Sequence, residues 1–348
     1  MSDISISSLK EQAGDVPLLA SIKVQLQSRA TKTTKDGKPF LDLVFVDSTG
    51  SISLKVWSNT PLYAETEKME INAIMRLEGE WTQNQYGING SGIVCSSLHD
   101  EEIAIFLAGD PKTRDKQEND YAEILGFCES MTDPRLKRLA GYFFEKMGDR
   151  FRRTAAARKN HHARRGGLVE HVAQMMRSAS AISAIYPELN RDLMISGVLF
   201  HDCGKLWENS YPEEGFAQIH SKYGEMLGHI PMGIELVNKL WHDLLDASEF
   251  DAFSESKPAT EEVRLHLLHL IGSHHGQMEF GSPVLPKTPE AHALHYIDNL
   301  DAKMEMLRDA YAQGAEVAPG IYDRVFPLAT NLIKPLASFE MESPSREG

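Results

Sequence analysis

His201 and Asp202 stand side by side within Leu199-Phe200-His201-Asp202-Cys203-Gly204-Lys205-Leu206 and pair an imidazole with a carboxylate. Nitrogen and carboxylate-oxygen donors together suit borderline divalent ions such as Mn, Fe, Co, Ni or Zn. Donors of the same two kinds recur along the chain: His171 upstream, then His229, the pair His274-His275, and Asp298. Neighbouring residues on a helix point about 100° apart, from roughly 3.6 residues per turn. Both members of a helical His-Asp pair can therefore lean on one cluster, and a carboxylate can bridge two ions. Lys205 is placed either to neutralise phosphate charge or to pair with a nearby acid.

The ordered series resembles the HD-domain metal-dependent phosphohydrolases, whose pattern H…HD…H…HH…D lies on a helical core; the match runs from about residue 120 to 310. The flanks narrow the likeness. Lys159-Asn160-His161-His162-Ala163, followed by Gly166-Gly167-Leu168-Val169-Glu170-His171, is similar to the HHA…GGLxEH signature of the YhaM-type 3′→5′ exoribonucleases. That family places an OB-fold before its HD domain. The resemblance implies His171, His201, Asp202 and Asp298 as the core metal set. It implies His229, His274 and His275 as ligands of a second ion or contacts to the scissile phosphate. Asp202, Lys205, His229, His274 and His275 are then the candidate catalytic residues. Two divalent ions are expected, Mn foremost, with Fe, Co, Ni, Zn or Mg as alternatives.

Two ions roughly 3.5–4 Å apart could clamp a phosphate oxygen and lower the pKa of water to give a nucleophile near neutral pH. The resemblance implies attack that expels a ribose 3′-oxygen and releases nucleoside 5′-monophosphates from single-stranded RNA, with single-stranded DNA as a second substrate class. Cys203 departs from the apolar branched residue common at that point of the motif. A free cysteine packs as a small hydrophobe, so the ligand set is untouched.

At 348 residues the chain exceeds what one hydrophobic core usually serves. The expected fold is multidomain, α and β: an N-terminal small β-barrel of the OB type over residues 1–105, a linker at 106–120, an all-α HD domain at 121–315, and a C-terminal extension and tail at 316–348. No apolar run approaches the roughly eighteen residues of a membrane helix, and the first residues do not read as a secretory leader. Cys95, Cys128 and Cys203 are isolated from one another, which fits a reducing cytoplasm. The family likeness makes self-association an expectation.

The net charge of −14 argues against a general nucleic-acid coat protein, because phosphate attraction dominates such binding. Distribution matters more than the sum. Arg150 to Arg165 holds seven cations and no acid, and it ends just before His171. Arg158, Lys159, Arg164 and Arg165 are thus candidates to hold a phosphate backbone; a solvated helix face is the plain alternative. His161 and His162 are left between a phosphate contact and a helix end, and Gly166-Gly167 between a close approach to a ligand and a plain loop.

Alternating or β-rich runs at 22–26, 41–46, 52–57, 74–81 and 88–94 predict five strands, the number of a Greek-key OB barrel. Such barrels stack bases on exposed aromatics beside cations. Phe40, Phe45, Trp57, Trp81 and Tyr86 are candidates, as are Lys35 and Lys38 in a polar, Gly-containing loop. Beyond the breaker Gly109-Asp110-Pro111 the periodicity turns helical, with predicted helices including 168–185, 193–206, 223–245 (bent near Pro231), 261–273 and 289–313. Alternatives are an HD phosphohydrolase of free nucleotides and a non-catalytic nucleic-acid-binding adaptor. A cyclic-dinucleotide phosphodiesterase fits less well, since Gly276-Gln277-Met278 stands after the histidine pair where that family has Gly-Tyr-Pro.

Overall fold

The computed structural model describes residues 3–84, 87–158, 162–313, 316–326 and 328–337. Tyr86, Lys159, His161 and the terminal residues 343–348 lie outside the described residues.

The N-terminal unit is built on one long strand. After β1 (Asp3–Ile4) and helix α1 (Ile6–Gln12), β2 (Leu18–Thr33) is followed by β3 (Pro39–Val46), β4 (Ser51–Trp57), helix α2 (Pro61–Glu67), β5 (Ile74–Asn84) and β6 (Gly87–Ser97). The strand order is β4-β3-β2-β5-β6. The first half of β2 pairs with β5, from Leu18↔Trp81 to Gln25↔Ile74; its second half pairs with β3, to Thr33↔Pro39. A bulge at Leu26/Ser28 lets the strand bend between its two partners. This is the OB strand order. The sheet curls until β4 and β6 approach each other, but no ladder joins them among the described residues, so the barrel is open.

Alternation decides which face is inside. Leu41, Leu43 and Phe45 of β3, Ile52, Leu54 and Val56 of β4, and Ile22, Val24 and Leu26 of β2 fill the interior. Trp81 is fully buried and its indole N–H donates to Ala20 O at 3.0 Å. Ile6 and Leu9 of α1 join this core, an element that the strand pattern gave no hint of.

The stretch expected as a linker is helical on both sides of one break. Helix α3 (Asp100–Ala108) ends at Gly109, whose φ of 75° suits glycine, and α4 (Pro111–Glu129) begins at once. Asp110 caps α4 by accepting from Thr113 N at 2.8 Å, with Pro111 in the first turn. There proline's missing N–H costs nothing. The charged residues that suggested a linker are the solvated side of α4, whose other side buries Asp120, Ile124 and Cys128.

The helical domain continues with α5 (Pro134–Arg153), α6 (Gly167–Ile185), α7 (Arg191–Phe200), α8 (Lys205–Glu208), α9 (Lys222–Leu227), α10 (His229–Asp246), α11 (Thr260–Ser273) and α12 (Pro289–Gln313). A small sheet of β7 (Glu316–Ala318), β8 (Ile321–Tyr322) and β9 (Leu332–Ile333) follows. Helix α7 is buried over Asp192–Phe200, as a helix apolar all round must be, and α6, α11 and α12 pack on it. Two predicted helices prove to be broken. The run 193–206 stops at Phe200, and His201–Gly204 form a turn before α8. The run 223–245 breaks at Gly228 (φ 71°), not at Pro231, which sits in the first turn of α10. Among the described residues no helix is long and apolar enough to cross a membrane.

The two units meet through Val46, Phe106, Phe216 and Ala217 and through Gln25, whose side-chain oxygen accepts from Phe216 N at 2.7 Å and Ala217 N at 3.1 Å. Replacing Gln25 by Ala leaves two buried amides without that acceptor, at about 1–3 kcal/mol. We expect Gln25→Ala to lower the thermal midpoint and to speed hydrogen exchange at Phe216 and Ala217; unchanged exchange there would show that Gln25 does not hold the junction.

Candidate metal centre

Helix ends deliver most of the donors. His201 is the C-cap of α7 and Asp202 the next residue in the turn; His274 is the C-cap of α11 and is followed by His275; His229 is the first residue of α10. His171 and Asp298 come from within α6 and α12. The last carbonyls of a helix lack intrahelical partners, and here they are used. His201 Nδ1 meets Val198 O and His274 Nδ1 meets Ile271 O, both at 2.8 Å. His275 Nδ1 meets Phe280 O at 2.6 Å. A carbonyl only accepts, so these three rings carry their proton on Nδ1 and present a bare Nε2.

Carboxylates do the same for the other two rings. His171 Nδ1 donates to Asp301 at 2.7 Å and His229 Nδ1 to Glu208 at 2.9 Å. Such outer partners fix ring orientation and raise ligand basicity.

The Nε2 atoms of His171, His201, His229 and His274 converge on Asp202, which is 2% exposed. Its Oδ2 lies 3.2 Å from His201 Nε2 and 3.7 Å from His171 Nε2. Its Oδ1 lies 3.5 Å from His229 Nε2 and 3.7 Å from His274 Nε2. Asp298 Oδ1 is 3.4 Å from His171 Nε2. The set therefore has two lobes, with one carboxylate between them. Donor atoms of His171, His201 and Asp202 lie within 4.8 Å of one another, as do those of His229, His274 and His275. Asp202 Oδ1, His229 Nε2 and His274 Nε2 are buried and have no hydrogen-bond partner among the described residues. Buried polar atoms are rarely left so. Lone pairs aimed at a shared carboxylate oxygen are what a divalent cation satisfies, so the residues fit a metal.

For Asp202 and His274 the electrostatics favour the ligating form, whereas without a cation His171 is held protonated. Burial alone would raise the Asp202 carboxyl, but Lys205 and His201 hold it well below the usual carboxylate range. Burial, reinforced by the neighbouring His201, keeps His274 neutral, well below the ordinary histidine value. For His171, burial is outweighed by hydrogen bonds to Asp298 and Asp301, and the ring rises to about 9. Lys205 Nζ lies 2.5 Å from Asp202 Oδ2, so of its two expected roles the structure displays the acid pairing.

Asp301, Glu208 and His162 carry weight that the sequence reading did not assign. Asp301 also faces His162 Nε2 at 3.2 Å. Glu170, beside His171, is buried and held to about 2: burial pushes it up, but Arg164, Gln117 and Lys116 outweigh it. Arg164 grips its two oxygens at 3.0 and 2.5 Å. The basic block is thus turned largely inward. Arg165 donates to the carbonyls of Pro212, Glu213 and Gly215, and Arg158 meets Glu225 at 2.5 Å and Glu208 O at 3.2 Å. Gly167 makes its close approach to His162 O, which a Cβ would reach at 2.0 Å, so the neighbour there is the chain itself. Cys203 is fully buried in the helical core, as expected of packing.

On the barrel, Phe45 and Trp81 are core residues, so neither is a stacking surface. Phe40 and Trp57 instead form a pair on the outer face, ring centroids 5.1 Å apart, with Trp57 44% exposed. Lys35 and Lys38 are exposed in the β2–β3 loop, and Lys55 on β4 is exposed on the same face.

Residues 168–303 match the HD domain family model. Over 307 residues the chain is 35% identical to the 3′-5′ exoribonuclease YhaM of Geobacillus sp. (strain WCH70), covering 87% of this chain and 88% of that protein. Among solved structures, the second OB-fold domain of replication protein A from Methanococcus maripaludis aligns at 22% identity and TM-score 0.20, over 28% of this chain and 99% of that one.

Two changes test the scaffold of the site. Asp301→Ala should weaken divalent-metal binding by about 10–100-fold, read by equilibrium dialysis; unchanged affinity would mean that Asp301 does not orient His171. Gly204→Ala places a Cβ 1.9 Å from His229 O and should force the Asp202 turn and His229 apart. Its expected signature is loss of metal uptake with helix content retained by circular dichroism.

Proposed function

The chain belongs to the YhaM 3′-5′ exoribonuclease family, and from that premise we propose that it shortens single-stranded RNA from the 3′ end, with single-stranded DNA as a second substrate, in a reaction that depends on two divalent ions. It is a hydrolase acting on nucleic acid. The observation that carries the metal dependence is the division of Asp202, whose two buried oxygens face separate pairs of imidazole Nε2 atoms.

His171, His201, Asp202 and Asp298 would hold one ion, and His229, His274 and His275, sharing Asp202, a second. Ions bound there would offset phosphate charge and make water a nucleophile at neutral pH. Mn is the first candidate by the family resemblance, and a set of imidazoles and carboxylates also accepts Fe, Co, Ni or Zn. The protein's own part is positional. The pinned Nδ1 atoms keep five rings from turning, and the buried walls limit water. Lys205 supplies a positive charge at the carboxylate that a phosphate oxygen can share. Cleavage of the terminal phosphodiester on its 3′-oxygen side would release nucleoside 5′-monophosphates.

The barrel supports a polymeric substrate over free nucleotides. OB domains bind single strands on the face that β3 and β4 form here and on the adjoining loops. Phe40 and Trp57 offer a surface for bases there, and Lys35, Lys38 and Lys55 attract phosphates.

A 5′-labelled single-stranded RNA incubated with metal-stripped protein tests this reading. Addition of Mn²⁺ should produce a ladder shortening from the 3′ end, lost in Asp202→Ala. RNA left intact under every divalent metal would contradict it, and hydrolysis of free nucleotides alone would favour a nucleotidase.

A further inference from the structure

The loop after the histidine pair exposes two large apolar side chains beside a metal-ligand candidate: Met278 is 67% and Phe280 59% exposed. Single exposed hydrophobes are ordinary on a surface, but this loop is rigidly built. Gly276 N donates to Ser273 O at 2.8 Å, Phe280 N to Gln277 O at 3.1 Å and Ser282 N to Gln277 O at 3.2 Å. The Ser282 hydroxyl reaches Val284 O at 2.8 Å and Gly272 O at 3.3 Å. Gly276, at φ 75°, lies so close to the His295 ring that a Cβ would stand 2.3 Å from it. The Phe280 carbonyl accepts from His275 Nδ1, so the backbone that bears the phenyl group is tied to the ligand ring.

The chemistry of the loop selects which half of a nucleotide it can meet. Between His275 and Ser282 it holds no lysine or arginine, and it includes the acid Glu279, so a phosphate gains nothing there. The phosphodiester is met by the imidazole-carboxylate cluster and Lys205. An exposed aromatic ring on a hydrogen-bonded loop suits the flat, uncharged base, and base–aromatic stacking tolerates any sequence. We propose that Phe280 is the stacking wall for the base of the nucleotide being removed, and so sets affinity for a base-bearing 3′ end. This rests on the exonuclease reading above.

The test uses the full-length protein with Mn²⁺ and two 5′-labelled RNAs that differ only in whether the 3′-terminal ribonucleotide carries a base or is abasic. The wild type should favour the base-bearing end by about tenfold in kcat/KM, the scale of one base stack. Phe280→Ala should abolish that preference with Mn²⁺ uptake unchanged, and Phe280→Tyr should restore it. Phe280→Ala that keeps the wild-type preference overturns the proposal; if its mass by light scattering also falls, Phe280 belongs to a contact between copies. A wild type that shortens neither RNA defeats the exonuclease reading itself, and this proposal with it.

Discussion

Everything at the centre depends on how each imidazole spends its two nitrogens. In His171, His201, His229, His274 and His275 the Nδ1 atom is committed to a carbonyl or carboxylate. The commitment removes ring rotation as a freedom and leaves Nε2 as the working atom. Two of the bonds exploit the same accident of helix geometry, a C-terminal carbonyl three residues back with no partner of its own. His201 and His274 therefore sit where helices stop. The break after Phe200 is a requirement of the site, since a continuing helix would have claimed the Val198 carbonyl for its backbone.

Asp202 is the costly member. A carboxylate taken out of water loses several kcal/mol of hydration unless charge and hydrogen bonds replace it. Lys205 and the surrounding rings provide part of this, yet its Oδ1 stays without a hydrogen-bond donor among the described residues. A cation held at Oδ1 by the His229 lobe would complete the balance, and a ligand that binds only the folded chain adds to its stability by mass action. Around this centre α12 contributes acids on one face. Asp298 faces the cluster, Asp301 orients His171, and Glu305 lies 3.7 Å from both His162 and Arg164. The loop before α6 is in this way tied to the helix that closes the site.

Much of this was legible in the chain. The donor residues declare themselves by type and order, and strands declare themselves by alternation, as in Leu41, Leu43 and Phe45. Alternation alone indicates a small β-barrel; the OB arrangement and the HD domain followed once the donor order and its flanks were matched to the family they resemble. What stayed hidden depended on partners distant in sequence. His162 meets Asp301 across 139 positions, and no local pattern announces such a pair. Asp301 left one usable trace, its spacing of three from Asp298, one helical turn along the same face. The basic block shows why charge is not contact: Arg164 and Arg165 read as phosphate binders until Glu170 and three carbonyls are seen to occupy them. The broken helices were hidden because apolar spacing runs through the breaks; Gly204 and Gly228 were the marks to weigh.

The central claim is that Asp202 bridges two metal lobes, and anomalous diffraction from crystals equilibrated with Mn²⁺ tests it most directly. The account predicts two peaks, one against His171, His201 and Asp202 Oδ2, the other against His229, His274 and Asp202 Oδ1. A lone peak not touching Asp202, or none at this cluster, would contradict it.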